Sequence, residues 1–190
     1  MGALPLQKQQ FYTYADYAKW DLKEGERYEL IDGVPYAMAA PLLKHQAIIG
    51  EVFVQLRDFL NGKSCRPFIS PIDVCLFGKG DFEETIVQPD VIVVCDKNKI
   101  KNKKYCNGAP DLAVEVLSPS SRKRDEQLKY KNYEFAGVRE YWIIDPESVT
   151  VKACVLVNGK YKVTEYDGEA IVPVTILDGC KINMKEVFAE

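Results

Sequence analysis

Between Leu43 and Leu60 the apolar residues Ile48, Ile49, Val52, Phe53, Leu56, Phe59 and Leu60 recur at steps of three and four. That period predicts an amphipathic helix, ended by Asn61-Gly62 where a left-handed cap is expected. Most of the remaining pattern is that of strands. Arg27 to Met38 gives two runs around Asp32-Gly33, a pair that tolerates the positive φ of a tight hairpin turn. Phe68 to Phe77 and Thr85 to Cys95 read as an antiparallel pair joined by the loop 78–84, with Pro89 placing a bulge or bend just before Asp90. Asp111 to Leu117 is apolar at nearly every position, as in a strand covered on both faces, and Glu115 interrupts it.

After the turn Ser118-Pro119-Ser120-Ser121, a helix is predicted from about Arg122 to Phe135, ending at Gly137. On it Asp125, Lys129 and Tyr133 share one stripe, and Leu128 and Phe135 lie on another. Tyr141 to Asp145 follows as a buried strand, and Val151 to Tyr166 as a hairpin around Asn158-Gly159. The tail 170–190 holds a short strand or two, with turns at Asp167-Gly168 and Asp178-Gly179. Near the start, Tyr12 to Asp21 reads as a short helix capped by Thr13, with Tyr14, Tyr17, Ala18 and Trp20 inward. No linker or internal repeat divides the pattern, so one α/β (α+β) domain over 1–190 is expected.

Composition narrows the function classes. The chain is 47% hydrophobic and 28% charged, and no apolar run approaches the roughly 20 residues that span a bilayer. Residues 1–10 lack the charged-then-apolar pattern of a secretory signal, so a cytoplasmic location without membrane contact is expected. Six dispersed cysteines and a single histidine argue against zinc, and favour reduced, buried thiols over a disulfide framework. A net charge of −3 gives no global attraction to nucleic acid, which would have to meet local basic patches.

Several residues carry candidate chemistry. A carboxylate in a buried strand is costly to desolvate without a cation, a metal or donors, so Glu115 and Asp90 ask for partners; Asp73, on the preceding strand, is a third acid of this kind. Glu29 is opposite in pleat phase to Tyr28 and Leu30, which sends it to solvent, the commoner outcome, or toward a site. His45, at the start of the long helix, reads as a partly buried ring bonded to a backbone carbonyl, or as a group orienting a substrate or ligand. Asp125 and Lys129 read as an exposed ion pair worth about 0.3–0.5 kcal/mol, unless their stripe faces Glu115 and lets Lys129 reach a phosphate. Lys101, Lys103 and Lys104 in the loop 96–108, with Arg122, Lys123 and Arg124, are candidate nucleic-acid contacts, although charge runs in loops are most often simply solvated.

The segments YELIDG (28–33), His45-Gln46, QPDVIVV (88–94), GAPDLAVEVLSPSS (108–121) and YEFAGVREYWIIDP (133–146) resemble the Uma branch of the PD-(D/E)XK, restriction-endonuclease-like nucleases. The resemblance implies a restriction-endonuclease-like mixed central sheet flanked by helices, with additional N- and C-terminal hairpins. It also implies an endonuclease that hydrolyses DNA phosphodiester bonds with Mg²⁺ or Mn²⁺ held by Asp90, Glu115 and the Val116 carbonyl. The ion would polarise the phosphate and activate water. Where the superfamily usually has a strand lysine this chain has Leu117, and the amine is expected from Lys129 instead. Glu29, His45, Asp73 and Tyr133 are given supporting roles. Function suggests a homodimer addressing two strands. A catalytically silent nucleic-acid-binding or protein-interaction module on the same scaffold is the alternative.

Overall fold

The protein is seen here as a computed structural model that describes residues 11–189; the segment 1–10, read above for a leader, lies outside them. Helix α1 (Tyr14–Tyr17) is capped by Thr13 through a capping box with Asp16, and is shorter than the sequence predicts. Strands β1 (Tyr28–Ile31) and β2 (Val34–Ala37) form the expected hairpin, with Asp32 at φ 53° and Gly33 at φ 74°. Helix α2 (Leu43–Leu60) has the predicted bounds and buries Ile48, Ile49, Val52, Leu56 and Leu60.

Each of the two long strands expected next is in fact two. The first becomes β3 (Arg66–Ile69) and β4 (Val74–Cys75), broken at Ser70-Pro71; the second becomes β5 (Ile86–Val87) and β6 (Val91–Val94), broken at Pro89-Asp90. A proline cannot donate to a ladder, so each break lets the chain leave one sheet and enter another. The antiparallel pairing survives in both halves, β3 with β6 and β4 with β5. Cys65 and Cys95 flank β3 and β6, whose register places Arg66 opposite Val94, and they form a disulfide. This corrects the expectation of reduced thiols throughout, because that register is not visible in cysteine spacing. Cys75, Cys106, Cys154 and Cys180 are free and buried.

Strands β7 (Cys106–Asn107), β8 (Leu112–Val116), β9 (Glu140–Asp145), β10 (Thr150–Val157) and β11 (Lys160–Asp167) follow. Between β8 and β9 the predicted helix is present as a π-helical turn, Arg124–Lys129, continued by α3 (Tyr130–Ala136) and ended at Gly137, φ 85°. The tail forms β12 (Ile171–Pro173), β13 (Lys181–Asn183) and α4 (Met184–Val187). The fold is mixed α+β. Its main sheet runs β11-β10-β9-β8-β6-β3, with β8 and β9 parallel and the other pairs antiparallel; a second sheet runs β2-β1-β5-β4-β7.

Period-two alternation sorts the main sheet's side chains. Val91, Val93, Leu112, Val114, Val116, Trp142 and Ile144 share a core with α2. Ile92, Val94, Ala113, Leu117, Tyr141 and Ile143 share the other with Tyr133 of α3 and with Val74 and Val87 of the second sheet. Among the described residues no helix is long and apolar enough to cross a membrane.

Candidate functional site

The register of β6 on β8, Val91 opposite Val114, brings Asp90 opposite Glu115 one step further on. By the same alternation Asp90 is in phase with Ile92 and Glu115 with Ala113, so both acids belong to the face that carries α3. Asp90 Oδ2 accepts the Val116 N–H at 2.8 Å, which ties the residue after the proline break to the neighbouring strand.

The stripe Asp125, Lys129, Tyr133 faces that strand. Lys129 Nζ lies 2.8 Å from Glu115 Oε1, 2.7 Å from Glu29 Oε1 and 3.4 Å from Asp125 Oδ1. Tyr133 donates its hydroxyl to the same Oε1 of Glu115 at 2.8 Å. The Asp125–Lys129 pair is therefore buried, Asp125 being 1% and Lys129 2% exposed, which corrects the surface-pair reading. The π-helical turn is the local cause: Tyr130 N–H bonds to the Asp125 carbonyl, five residues back, which widens the turn that carries Asp125 and Lys129.

Glu29 is fully buried rather than solvated. Its Oε1 accepts the Gln88 N–H at 2.8 Å, and Arg124 Nε lies 3.2 Å from its Oε2. The sequence could not show this, because the cations that meet Glu29, Arg124 and Lys129, come from a helix far along the chain. Asp125 is the site residue not singled out from sequence, and its four-residue step to Lys129 is the available signal; Arg124, expected as a nucleic-acid contact, lines the cleft and meets Glu29.

Four carboxylates, Glu29, Asp90, Glu115 and Asp125, thus meet around Lys129 and Arg124. Burial, opposed by Lys129, pushes the Glu115 carboxyl well above the ordinary range, and Asp125, Asp90 and Glu29 add to the rise. Burial also raises Asp90 against the pull of His45 and the Val116 N–H. Burial alone would lower the Lys129 ammonium, but Glu115, Glu29 and Asp125 outweigh it and hold the group well above its usual value. Burial and Glu115 likewise raise Tyr133, which stays a donor. The surplus is of negative charge in a poorly solvated place, and a dication would relieve it.

Among the described residues no three or more His, Cys, Asp and Glu form a ready-made cation cage. The oxygens present fit a hard dication in another way. Asp90, Glu115 and the Val116 carbonyl are adjacent at the ends of two paired strands, and water and phosphate would complete an octahedron. Glu115 uses Oε1 for Lys129 and Tyr133, and neither of those bonds involves Oε2. His45 Nε2 stands 2.8 Å from the Val116 carbonyl oxygen and 3.5 Å from Asp90 Oδ2, so the backbone-carbonyl reading and proximity to the acids both hold. These groups open into a cleft of about 830 Å³, lined also by Ser118, Ser121, Arg124 and Lys44.

Other candidates lie elsewhere. Asp73 accepts from Gln88 Nε2 at 2.9 Å and Tyr17 OH at 3.4 Å, and it does not line the cleft. Lys101, Lys103, Lys104 and Lys123 do not line it either. Arg122 is engaged by Asp145 through Nη1 at 2.8 Å and Nη2 at 3.0 Å, and by Glu147 at 2.9 Å. Leu117, at the position of the superfamily's usual lysine, is packed in the core.

Residues 14–185 match the model of a family described as Uma2, putative restriction endonuclease. An uncharacterized protein of Synechocystis sp. is 28% identical over 143 residues, covering 72% of this chain and 70% of the relative. A crystal structure of a putative nuclease from Anabaena variabilis, assigned to a domain family of unknown function, superimposes with a TM-score of 0.73 at 23% identity, covering 93% of this chain and 97% of that one. The superposition shows a shared fold.

Proposed function

The chain belongs to the Uma2 family of putative restriction endonucleases, and from that premise we propose that it is a divalent-metal-dependent endonuclease that hydrolyses DNA phosphodiester bonds in the cleft above Asp90 and Glu115. One observation carries the reading: Asp90 is bonded at 2.8 Å to the backbone N–H of Val116, the residue after Glu115, and the Lys129 ammonium lies 2.8 Å from Glu115.

Asp90, Glu115 and the Val116 carbonyl would hold Mg²⁺ or Mn²⁺, which supplies a Lewis acid for the phosphate and a more acidic water. The Val116 N–H orients Asp90. Tyr133 and Lys129 fix one oxygen of Glu115, so that its other oxygen is presented without rotameric search. Because three carboxylates already hold the Lys129 ammonium, its role is to keep Glu115 aligned and to add positive charge behind the reacting phosphate. Glu29 and Asp125 in turn keep Lys129 charged.

The test is incubation of tag-free protein with supercoiled plasmid and Mg²⁺ or Mn²⁺, beside Asp90→Asn and Glu115→Gln. Nicked or linear product from the wild type, reduced about a hundredfold or more in both variants, is the expected result. Equal cleavage by all three proteins would refute this site. Leu117 in the core favours a second reading, a DNA-binding module without catalysis. That reading predicts retarded plasmid, no cleavage and no Mn²⁺ binding.

A further inference from the structure

We propose that His45 Nε2 is itself a ligand of the ion, which makes this a mixed nitrogen and oxygen site selective for Mn²⁺ over Mg²⁺. The inference deepens the metal-dependent reading above and rests on an ion lying beside Asp90.

Nε2 lies 2.8 Å from the Val116 carbonyl oxygen and 3.5 Å from Asp90 Oδ2. Adjacent ligands of an octahedral ion with bonds of about 2.1–2.2 Å are about 3 Å apart, because the edge of an octahedron is the bond length times the square root of two. The two observed separations straddle that edge. A single N–H can point well at one of two acceptor oxygens, whereas a cation among the three atoms satisfies all of them. Val116 O and Asp90 are also two of the three protein ligands argued above on other grounds.

The ring is placed for this by its own element. His45 sits in the first turn of α2, whose buried face, from Ile48 onward, is packed on the sheet that contains β6 and β8. Nε2–H donates to the Val116 carbonyl, whose oxygen can only accept, while the opposite nitrogen, Nδ1, is buried and meets no hydrogen-bond partner among the described residues. An ion that displaced the Nε2 hydrogen would leave it to Nδ1, where no protein group among the described residues competes, and would take the Nε2 lone pair.

Ligand chemistry then sets the preference. Mg²⁺ takes oxygen ligands and seldom imidazole, while Mn²⁺ accepts carboxylate, carbonyl and imidazole together. An imidazole in the ligand set favours Mn²⁺, and its removal should cost Mn²⁺ more than Mg²⁺.

The deciding experiment is pulsed EPR of Mn²⁺ bound to tag-free protein, grown once with natural histidine and once with ¹⁵N-histidine. Because the chain has a single histidine, the assignment is unambiguous. The expected result is a directly coordinated nitrogen coupling that changes from ¹⁴N to ¹⁵N on labelling and is absent from His45→Gln. Calorimetry should show Mn²⁺ binding at least about tenfold tighter than Mg²⁺ in the wild type, with most of that ratio lost in His45→Gln. Bound Mn²⁺ without a histidine coupling would overturn the proposal and leave the oxygen site standing, the more so if His45→Gln binds more tightly because a blocking ring has gone. Failure of the wild type to bind Mn²⁺ would overturn both this proposal and the metal-dependent function.

Discussion

Lys129 Nζ and Glu115 Oε1 are 2.8 Å apart across fourteen positions of sequence, and this contact fastens the helical crossover to the strand it has just left. Neither group has water to fall back on, since both are buried. The pair therefore depends on what surrounds it, and its two halves should respond oppositely to neutralisation.

Replacing Lys129 by Met removes a cation from among Glu115, Glu29 and Asp125. Breaking a buried ion pair from one side typically costs about 3–5 kcal/mol. Urea denaturation of chelator-treated protein should show a loss of that size. A loss below about 1 kcal/mol would mean that these carboxylates are not packed together around the ammonium.

Glu115→Gln should behave in the opposite sense. The amide keeps the side chain's shape and an acceptor for Tyr133, yet it removes one negative charge from a place where burial and three other acids already oppose it. In chelator the variant is expected to be at least as stable as the wild type, while the stabilisation that the wild type gains from Mn²⁺ disappears. Ion at a hundred times its dissociation constant is worth about 2.7 kcal/mol. A differential-scanning measurement with and without Mn²⁺ reads both effects, and an equal Mn²⁺ shift in the two proteins would contradict the placing of the ion at Glu115.

Much of this arrangement is legible in the sequence where a local period controls it. The three- and four-step apolar pattern fixes α2, Asp32-Gly33 and Asn158-Gly159 fix their hairpins, and a charge within an apolar strand marks Glu115. What stays hidden depends on pairing between distant segments. Pro71 and Pro89 look like irregularities within strands, and the transfer of each segment between sheets follows only from which partner takes up the freed ladder. Glu29 looks like a solvent residue because its cations, Arg124 and Lys129, arrive from a helix. The Cys65–Cys95 bridge requires the β3–β6 register. Arg122 looks available to phosphate until Asp145 is seen beneath it.

Tyr133→Phe tests the finer positioning of Glu115. It removes the 2.8 Å hydrogen bond to Oε1 and nothing else of comparable size, leaving Lys129 as that oxygen's partner. The expected stability cost is about 1–3 kcal/mol, at the upper end because the acceptor is buried and charged. Plasmid cleavage should fall through kcat while Mn²⁺ affinity changes little, since Oε2 and Asp90 remain. A variant that cleaves like the wild type would remove Tyr133 from the positioning role.

The Arg122–Asp145 pair gives a prediction in pH. Asp145 accepts two bonds from one guanidinium, Arg122 Nη1 at 2.8 Å and Nη2 at 3.0 Å, and those bonds, against some burial, hold its carboxyl well below the usual range. A carboxyl whose pKa is depressed by folding contributes stability above its unfolded value, and loses that stability as pH falls toward the folded one. Asp145→Asn should therefore cost about 1 kcal/mol at pH 7, a figure kept small because Arg122 is partly solvated. The difference from wild type should shrink steadily as pH drops below about 4. Denaturation midpoints of both proteins across pH 2.5–7 measure it, with a gap that stays constant or widens toward acid counting against the clamp. The same substitution leaves Glu147 as the carboxylate still engaging Arg122 beside the Ser118–Ser121 turn, so DNA retention by Asp145→Asn should strengthen, and its salt dependence should steepen by up to about one phosphate contact.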